Sequence, residues 1–565
     1  MADRVLTQKI KAEVLNNGMD LVGFAPVSRW ENAPYLASPQ AILPGSKTVI
    51  VAALHITDTW TEMGGEPGPQ DGSPGGWVDH NPLLDRVTYR VVRLLEDYGH
   101  KAIGIAASNI WRYRQSEGGS DIFQADLSHR HAAVAAGLGE IGWSGLAITP
   151  EFGSRCRFVS IVTSAELIPT PMYDGPSLCD KCMECVRYCP SGALRKELDK
   201  PHEIVIEGKT FKYANKNKWR CAWAEHFNLD LDSENLKNYE HIGEEEILKE
   251  LENGGFRGHE RGVCQKVCVP PHLRSDEQSF GRDWQIAQNR INKRYPDTMP
   301  TLRKMRDDII AYAIDLGIDI VGVDSINVDS EAGKQSLREV PGVQTVIGFA
   351  MSIPKEAKTR QEYSSYVSQA YEYGLRMKMQ LILIMVTRLV EDYGYSAAPY
   401  TGVLPPRQNI ANDLAEMAGI GVSGDAFCTA EFGQDVIVGA VTTNAPIDRT
   451  PQIEEVQDNV MLKRPDAKQL RRRLECLAEE NLVSLFGVAS VDVFDSVVAE
   501  LKEQIDEDEL GEGIEDEGER INGSPLHGPW VSRTTEENVR IMGPKDYMDK
   551  AKSVIVLGMH FQDEL

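Results

Sequence analysis

The residues of this 565-residue chain best suited to do chemistry are four cysteines inside CDKCMECVRYCP, residues 179 to 190. Cys179, Cys182, Cys185 and Cys189 follow the spacing C-x2-C-x2-C-x3-C, and Pro190 stands behind the last. A tight loop with two-residue gaps wraps three corners of a [4Fe–4S] cube, and a fourth cysteine just before proline leads away to ligate a second cluster. Zinc is the competing reading, but zinc rarely takes four cysteines at this spacing with a trailing proline. A second set lies downstream at Cys221, Cys264 and Cys268. Cys268, followed by Val269 and Pro270, is expected to be the fourth ligand of the first cluster, which leaves Cys189, Cys221 and Cys264 for the second. The slot three residues before Cys264 holds Arg261, so the second cluster is one thiolate short. Either it is [3Fe–4S], or it takes a non-cysteine ligand such as His259, or it borrows Cys156. Cys428 and Cys476 read as buried free thiols.

Composition bounds what surrounds these thiols. The chain is 42% hydrophobic and 26% charged, as globular domains are, and its length suggests three or four of them. A formal net charge of −25 argues against a nucleic-acid surface, which needs clustered Lys and Arg, and suits a basic electron-transfer partner. No apolar run approaches the roughly 20 residues of a membrane helix. The opening MADRVLTQKIKAEVLNNG has no apolar signal core and no twin arginine, and it reads as an amphipathic helix. A cytoplasmic location is therefore expected, where clustered thiols bind metal more often than they pair.

The elements that must position the cysteines come from an internal repeat. RLLEDYGH (93–100) recurs as RLVEDYGY (388–395), and AAGLGEIGWSGLAITPEFGSRCRFVSIVTSAEL (135–167) recurs as MAGIGVSGDAFCTAEFGQDVIVGAVTTNAPI (417–447). The openings match as well: LVGFA with TVIVAAL, IVGVD with TVIGFAM, and a third time LFGVA with SVIVLGM. Each copy reads as a helix, a short strand, a second apolar strand, a long helix capped by Gly99 or Gly394, and a closing strand. The expected domains are 1–167, 168–285 with the cysteines, 286–455 as a second copy without them, and 456–565 as a partial third copy. Residues 503–519 form an acidic insertion in that third copy, read as a solvated loop.

The stretch AGLGEIGWSGLAITPEFGSRCRFVSIVTSAELIPT, followed directly by CDKCMECVRYCPSGAL, resembles the corrinoid- and iron–sulfur-dependent reductases, which include reductive dehalogenases and epoxyqueuosine reductase. The resemblance covers about residues 1–285, and residues 300–450 resemble the same module without clusters. It implies an α/β (α+β) fold: a nitroreductase-like, cobalamin-binding module, then a two-cluster ferredoxin-like domain, a degenerate second copy and a partial third. Gly137, Gly139, Gly142 and Gly145 would allow close backbone approach to a planar cofactor, and Asn109 would line it. By the same resemblance Arg157 is an active-site cation. The dehalogenase proton-donor tyrosine should lie near His80 or Asn81, and no tyrosine is there; Tyr89 is about two turns further on. His80, Asp126 and His129 are the candidate proton donors in its place. In the second copy FGQDV replaces FGSRCR, so Gln434 and Asp435 leave Arg157 without a basic counterpart. That copy is expected to serve as a built-in structural partner.

The expected function is that of a cytoplasmic oxidoreductase in which two iron–sulfur clusters pass single electrons to a cobalamin that reduces a small organic substrate. FMN is the less favoured substitute for the corrinoid. An electron donor such as ferredoxin or flavodoxin would serve it, with a second subunit or a homodimer against the partial third module. The alternative is an iron–sulfur electron-transfer or assembly subunit without a corrinoid.

Overall fold

The computed structural model describes residues 2–62, 80–108, 123, 125–197, 199–227, 229–252, 263–275, 290–291, 296–354, 365–401, 407–424, 426–449, 466–480, 482–504, 520–521, 524–525, 545 and 551–559. The chain divides into two compact units. One is built on residues 1–352 with 375–451, the other on 353–374 with 452–563.

The first unit holds two four-stranded antiparallel sheets. In the first, the strand Leu21–Pro26 pairs with Thr48–His55, Thr48–His55 with Cys156–Thr163, and Cys156–Thr163 with Ala102–Ile105. In the second, Ile320–Ser325 pairs with Thr345–Ser352, then Val436–Thr443, then Ala397–Thr401. Registers agree between the two: Thr48 faces Thr163 as Thr345 faces Thr443, and Leu21 faces Ala53 as Ile320 faces Ala350.

Alternation along a strand puts successive side chains on opposite faces. Ile50, Ala52 and Leu54 accordingly pack with Leu84, Val87, Val91 and Leu95 of the helix Asn81–Asp97. Val49, Val51 and Ala53 pack on the other face with Ala132 to Ala136, at the helix His129–Ala135. With both faces covered, all of Thr48–His55 but His55 is buried. Each fully buried Val, Leu or Ile side chain there contributes roughly 1.5–3 kcal/mol. The amphipathic opening helix, Arg4–Asn16, buries Leu6, Ile10 and Val14 at helical spacing, and the Asp3 carboxylate accepts a hydrogen bond from the Leu6 N–H as its cap. The long helices end at Asp97 and Asp392, each followed two residues later by a left-handed glycine, Gly99 (φ 77°) and Gly394 (φ 85°).

The cysteine-bearing segment belongs to the same unit. It carries the short helices Glu184–Arg187, Lys218–Glu225 and Val263–Val267, and a hairpin of His202–Ile206 with Lys209–Tyr213. Cys185, Leu194, Ala214, Val263 and Val267 form its small core, against which Trp143 and Cys189 pack.

In the second unit Leu485–Ser490 pairs with Ser553–Gly558 as a two-stranded sheet, Leu485 facing Gly558. Residues 505–519 of the acidic insertion lie outside the described residues. Among the described residues, no helix is long and apolar enough to cross a membrane.

Candidate functional site

The loop Cys179–Met183 is bent by two left-handed residues, Lys181 (φ 58°) and Met183 (φ 62°), which turn its sulfurs to one side before Cys185 enters the helix Glu184–Arg187. Arg274 clamps Asp180 with two hydrogen bonds, 2.6 and 2.8 Å, and donates a third to the Val269 carbonyl at 3.0 Å. That clamp joins the loop to the chain just beyond Cys268. Cys179, Cys182, Cys185 and Cys268 thereby line one pocket, closed by Trp143, Leu178, Val267 and Val269. The Trp143 N–H points at the Cys179 sulfur, 3.4 Å away.

The remaining thiols gather beside it. Cys189 follows the helix Glu184–Arg187, Cys221 sits in Lys218–Glu225 and Cys264 in Val263–Val267. Burial pushes the Cys264 thiol up to about 11, and Cys221 and Cys189 act on it as neighbouring charges. Cys221 is likewise raised, by burial first and with Cys189 among its neighbours. In the first pocket burial raises Cys185 to about 12, with Cys264, Cys182 and Cys179 adding to it, and raises Cys268 well above its ordinary value. Among the described residues no three His, Cys, Asp or Glu side chains converge on a single metal-ion position. Four cysteines lining one pocket, with three more on or beside the adjoining short helices, are nonetheless the donor type of iron–sulfur clusters, whose cationic iron offsets thiolate repulsion. Cys156 is buried inside a strand, hydrogen-bonded distance from Thr149 Oγ1 at 3.8 Å. His259 and Arg261 lie outside the described residues. Cys428, bridged to Val422, and Cys476, on the helix Ala467–Glu480 whose buried residue is Ala478, are exposed, contrary to their reading as buried thiols.

Arg157 projects from the strand Cys156–Thr163 into a polar group of its own. Its Nε donates to Asn81 Oδ1 at 3.0 Å, and its Nη2 donates to the Ala107 carbonyl at 2.9 Å and to Ser108 Oγ at 2.6 Å. Burial lowers its pKa to about 10, opposed by Glu225 and Asp85. Glu225 ends the helix that carries Cys221. Asp85 is raised by its own burial and accepts from the Ala107 N–H at 2.8 Å. His129 hydrogen-bonds Ser160 Oγ at 2.8 Å and the Ala106 carbonyl at 2.9 Å, and burial lowers its pKa to about 4. His80 is fully buried at the start of the helix Asn81–Asp97, and Asp126 is half-buried two residues before the cap Ser128. Asn109 lies outside the described residues. Asn81, Ser108 and Glu225 were not foreseen as partners of Arg157; only their spatial convergence reveals them.

The glycine-rich turn is packed by the chain itself. A side chain at Gly137 (φ 77°) would meet the Pro171 carbonyl oxygen at 2.1 Å, and one at Gly139 the Ile148 carbonyl oxygen at 1.9 Å. Gly142 faces Ile148, and Gly145 faces Arg130 and Tyr213. The close approach these glycines permit is thus to the protein's own backbone. The turn is tied to the cysteine segment: Trp143 occupies its second place, and the Ala214 N–H from that segment donates to the Trp143 carbonyl at 2.9 Å.

The 4Fe-4S binding domain family matches residues 173–195. The chain is 27% identical to an epoxyqueuosine reductase of Gloeobacter violaceus over 177 residues, 30% of this chain and 49% of that protein. It is 41% identical to a tetrachloroethene reductive dehalogenase of Sulfurospirillum multivorans over 64 residues, 11% of this chain and 13% of that protein. The matched part thus spans about half the length of the first relative and far less of the second. Among solved structures, epoxyqueuosine reductase from Streptococcus thermophilus aligns over 33% of this chain and 53% of that one, at 19% identity and a TM-score of 0.24. An epoxyqueuosine reductase solved with a tRNA-Tyr stem loop aligns over 74% of this chain and 90% of that one, at 14% identity and a TM-score of 0.28.

Proposed function

We propose that this chain, which belongs with the corrinoid and iron–sulfur reductases by its matches to epoxyqueuosine reductases and reductive dehalogenases, is a two-cluster reductase acting on a small organic substrate beside Arg157. The observation that supports the reading is the pocket lined by Cys179, Cys182, Cys185 and Cys268, with Cys189, Cys221 and Cys264 on or beside short helices of the same segment. Cys179, Cys182, Cys185 and Cys268 hold one [4Fe–4S] cluster; Cys189, Cys221 and Cys264 hold three corners of a second. The clusters supply single electrons at low potential.

The rest of the site orients and protonates. Arg157 is fixed by Asn81, Ser108 and the Ala107 carbonyl, so it presents a preset cation to an anionic or electron-rich substrate group. Asp126, half-buried, is better placed to give up a proton than His80, which is fully buried. The first sheet with its helices and the second form two copies of one nitroreductase-like module, of which only the first bears the site. A corrinoid is the cofactor proposed to join the clusters to the substrate, and when bound it would supply a strongly reducing, nucleophilic metal centre. The Gly137 and Gly139 backbone is filled by Pro171 and Ile148, so the residues left to hold such a ring are those around Arg157. FMN is the weaker alternative. A net charge of −25 favours a small substrate over a nucleic acid.

Iron and cobalt per chain, measured after anaerobic purification with corrinoid supplied, test the reading. About seven or eight irons with one cobalt support it. The same iron without cobalt would leave an electron-transfer subunit, and a chain without iron would sink both.

A further inference from the structure

The first unit contains a buried path of charge that no part of the proposed reaction uses. It begins in the second sheet's long helix. Glu391 there is 8% exposed, and its carboxylate accepts hydrogen bonds from the Asp58 N–H at 3.1 Å and the Thr59 N–H at 3.3 Å. It caps the short helix Asp58–Glu62, which belongs to the first sheet's part of the chain. One turn earlier Arg388 donates twice to Asp20, at 2.7 and 2.9 Å, and Asp20 in turn accepts from the His55 N–H at 2.6 Å. The path continues through the short helix. Asp58 and Glu62 both accept from the Arg155 guanidinium, at 2.9 and 2.5 Å, and Arg155 is 1% exposed. Arg155 reaches the Lys266 carbonyl at 3.4 Å, between Cys264 and Cys268. Its neighbour Ser154 donates to the Gln265 and Cys268 carbonyls at 3.1 and 2.9 Å, and Gln265 returns a bond to the Ser154 carbonyl at 3.2 Å.

We propose that the second sheet's module braces the cysteine segment 263–268: Glu391 holds the helix Asp58–Glu62, its carboxylates hold Arg155, and Arg155 with Ser154 holds the backbone that presents Cys264 and Cys268. This rests on the reading of those cysteines as cluster ligands, and it gives the cluster-free copy a task. The geometry is lopsided in a way that suits a brace. Glu96 occupies in the first copy the place of Glu391, in RLLED against RLVED, yet it is paired with Arg93 of its own helix at 2.8 Å. A buried ion-pair path contributes little net stability, but removing one member leaves the others uncompensated, so its effect is felt along its length. Glu391 is a positioning residue here, since it touches no thiol.

The test compares Glu391→Ala, Glu391→Gln and the control Glu96→Ala in the full chain. Two readouts are followed: amide exchange of segment 263–270, and release of iron to a ferrous chelator under anaerobic conditions. Glu391→Ala should raise both by about fivefold, Glu391→Gln by less because one acceptor oxygen is kept, and Glu96→Ala should leave both unchanged. Equal exchange and release in all four proteins overturns the brace while leaving the clusters standing. Equal effects of Glu391→Ala and Glu96→Ala overturn it too, since they would mark general loosening. Should Glu391→Ala not fold, Glu391→Gln decides by the same two measurements. A parent chain that takes up no iron sinks the cluster reading and the inference together.

Discussion

The Trp143 N–H is aimed at the Cys179 sulfur, 3.4 Å away, and Trp143 occupies the second place of the turn Gly142–Gly145, closed by the Gly145 N–H donating to the Gly142 carbonyl at 2.9 Å. Hydrogen bonds to cluster sulfurs stabilise the more negative, reduced state and so raise the potential. Proline is well suited to that second place and removes the N–H together with the indole, so Trp143→Phe is the control for the lost ring. Trp143→Pro should lower the potential of the first cluster by about 40 mV, the equivalent of about 1 kcal/mol for one hydrogen bond and one electron. Trp143→Phe, which keeps the N–H, should leave it within experimental scatter. Redox titration followed by electron paramagnetic resonance reads both, and equal potentials would show that the contact does not tune the cluster.

The two thiol groups predict separable losses. Cys268→Ser should remove about half of the iron and the signal of the first cluster, leaving the second. Cys221→Ser should do the converse. If either substitution removed all iron, the groups would be one site rather than two.

The sheets were legible in the sequence because repeated strands and Tyr-Gly helix ends are local signals. LVGFA and TVIVAAL lie within Leu21–Pro26 and Thr48–His55, and RFVSIVT within Cys156–Thr163. The order was not legible, since Cys156–Thr163 inserts between Thr48–His55 and Ala102–Ile105 by pairings that span more than fifty residues. The hairpin His202–Tyr213 went unforeseen among the cysteines. Arg155 was passed over in favour of Arg157 two residues on. Both are arginines of one strand entry, and only the fold shows that Arg155 turns to Asp58 and Glu62 while Arg157 turns to Asn81 and Ser108.

Arg157 itself predicts a split between charge and geometry. Lysine keeps the cation but not the fork that spans Asn81 and Ser108. Arg157→Lys should lower turnover by about tenfold or more, the loss of roughly 1.4 kcal/mol of transition-state stabilisation. Iron content and cluster spectra should stay at the parent level. A variant that turns over normally would remove Arg157 from the site, and one that loses iron would make it structural.

The last prediction concerns acid. Desolvation beside Ser160 and the Ala106 carbonyl lowers half-buried His129 to about 4, and half-buried His131, beside Tyr213, is lowered to about 3. Both values lie below the unfolded value near 6.5, so between those limits the unfolded chain binds more protons than the folded one. The stability from keeping these rings neutral is complete above about pH 6.5 and is lost as pH falls towards 4 and 3. For His129 the shift corresponds to roughly 3 kcal/mol. His55 works in the opposite sense: its pKa is raised in spite of burial, by Asp58 first and then Glu391 and Asp20, so its contribution fades as pH rises through its folded value. His129→Gln keeps an amide able to bond Ser160 or Ala106 but cannot take up the ring's proton. Its thermal midpoint should therefore fall less steeply than that of the parent chain between pH 6.5 and 4. Parallel curves would mean that His129 takes up its proton alike in the folded and unfolded states, and the acid limb of stability would pass to His131.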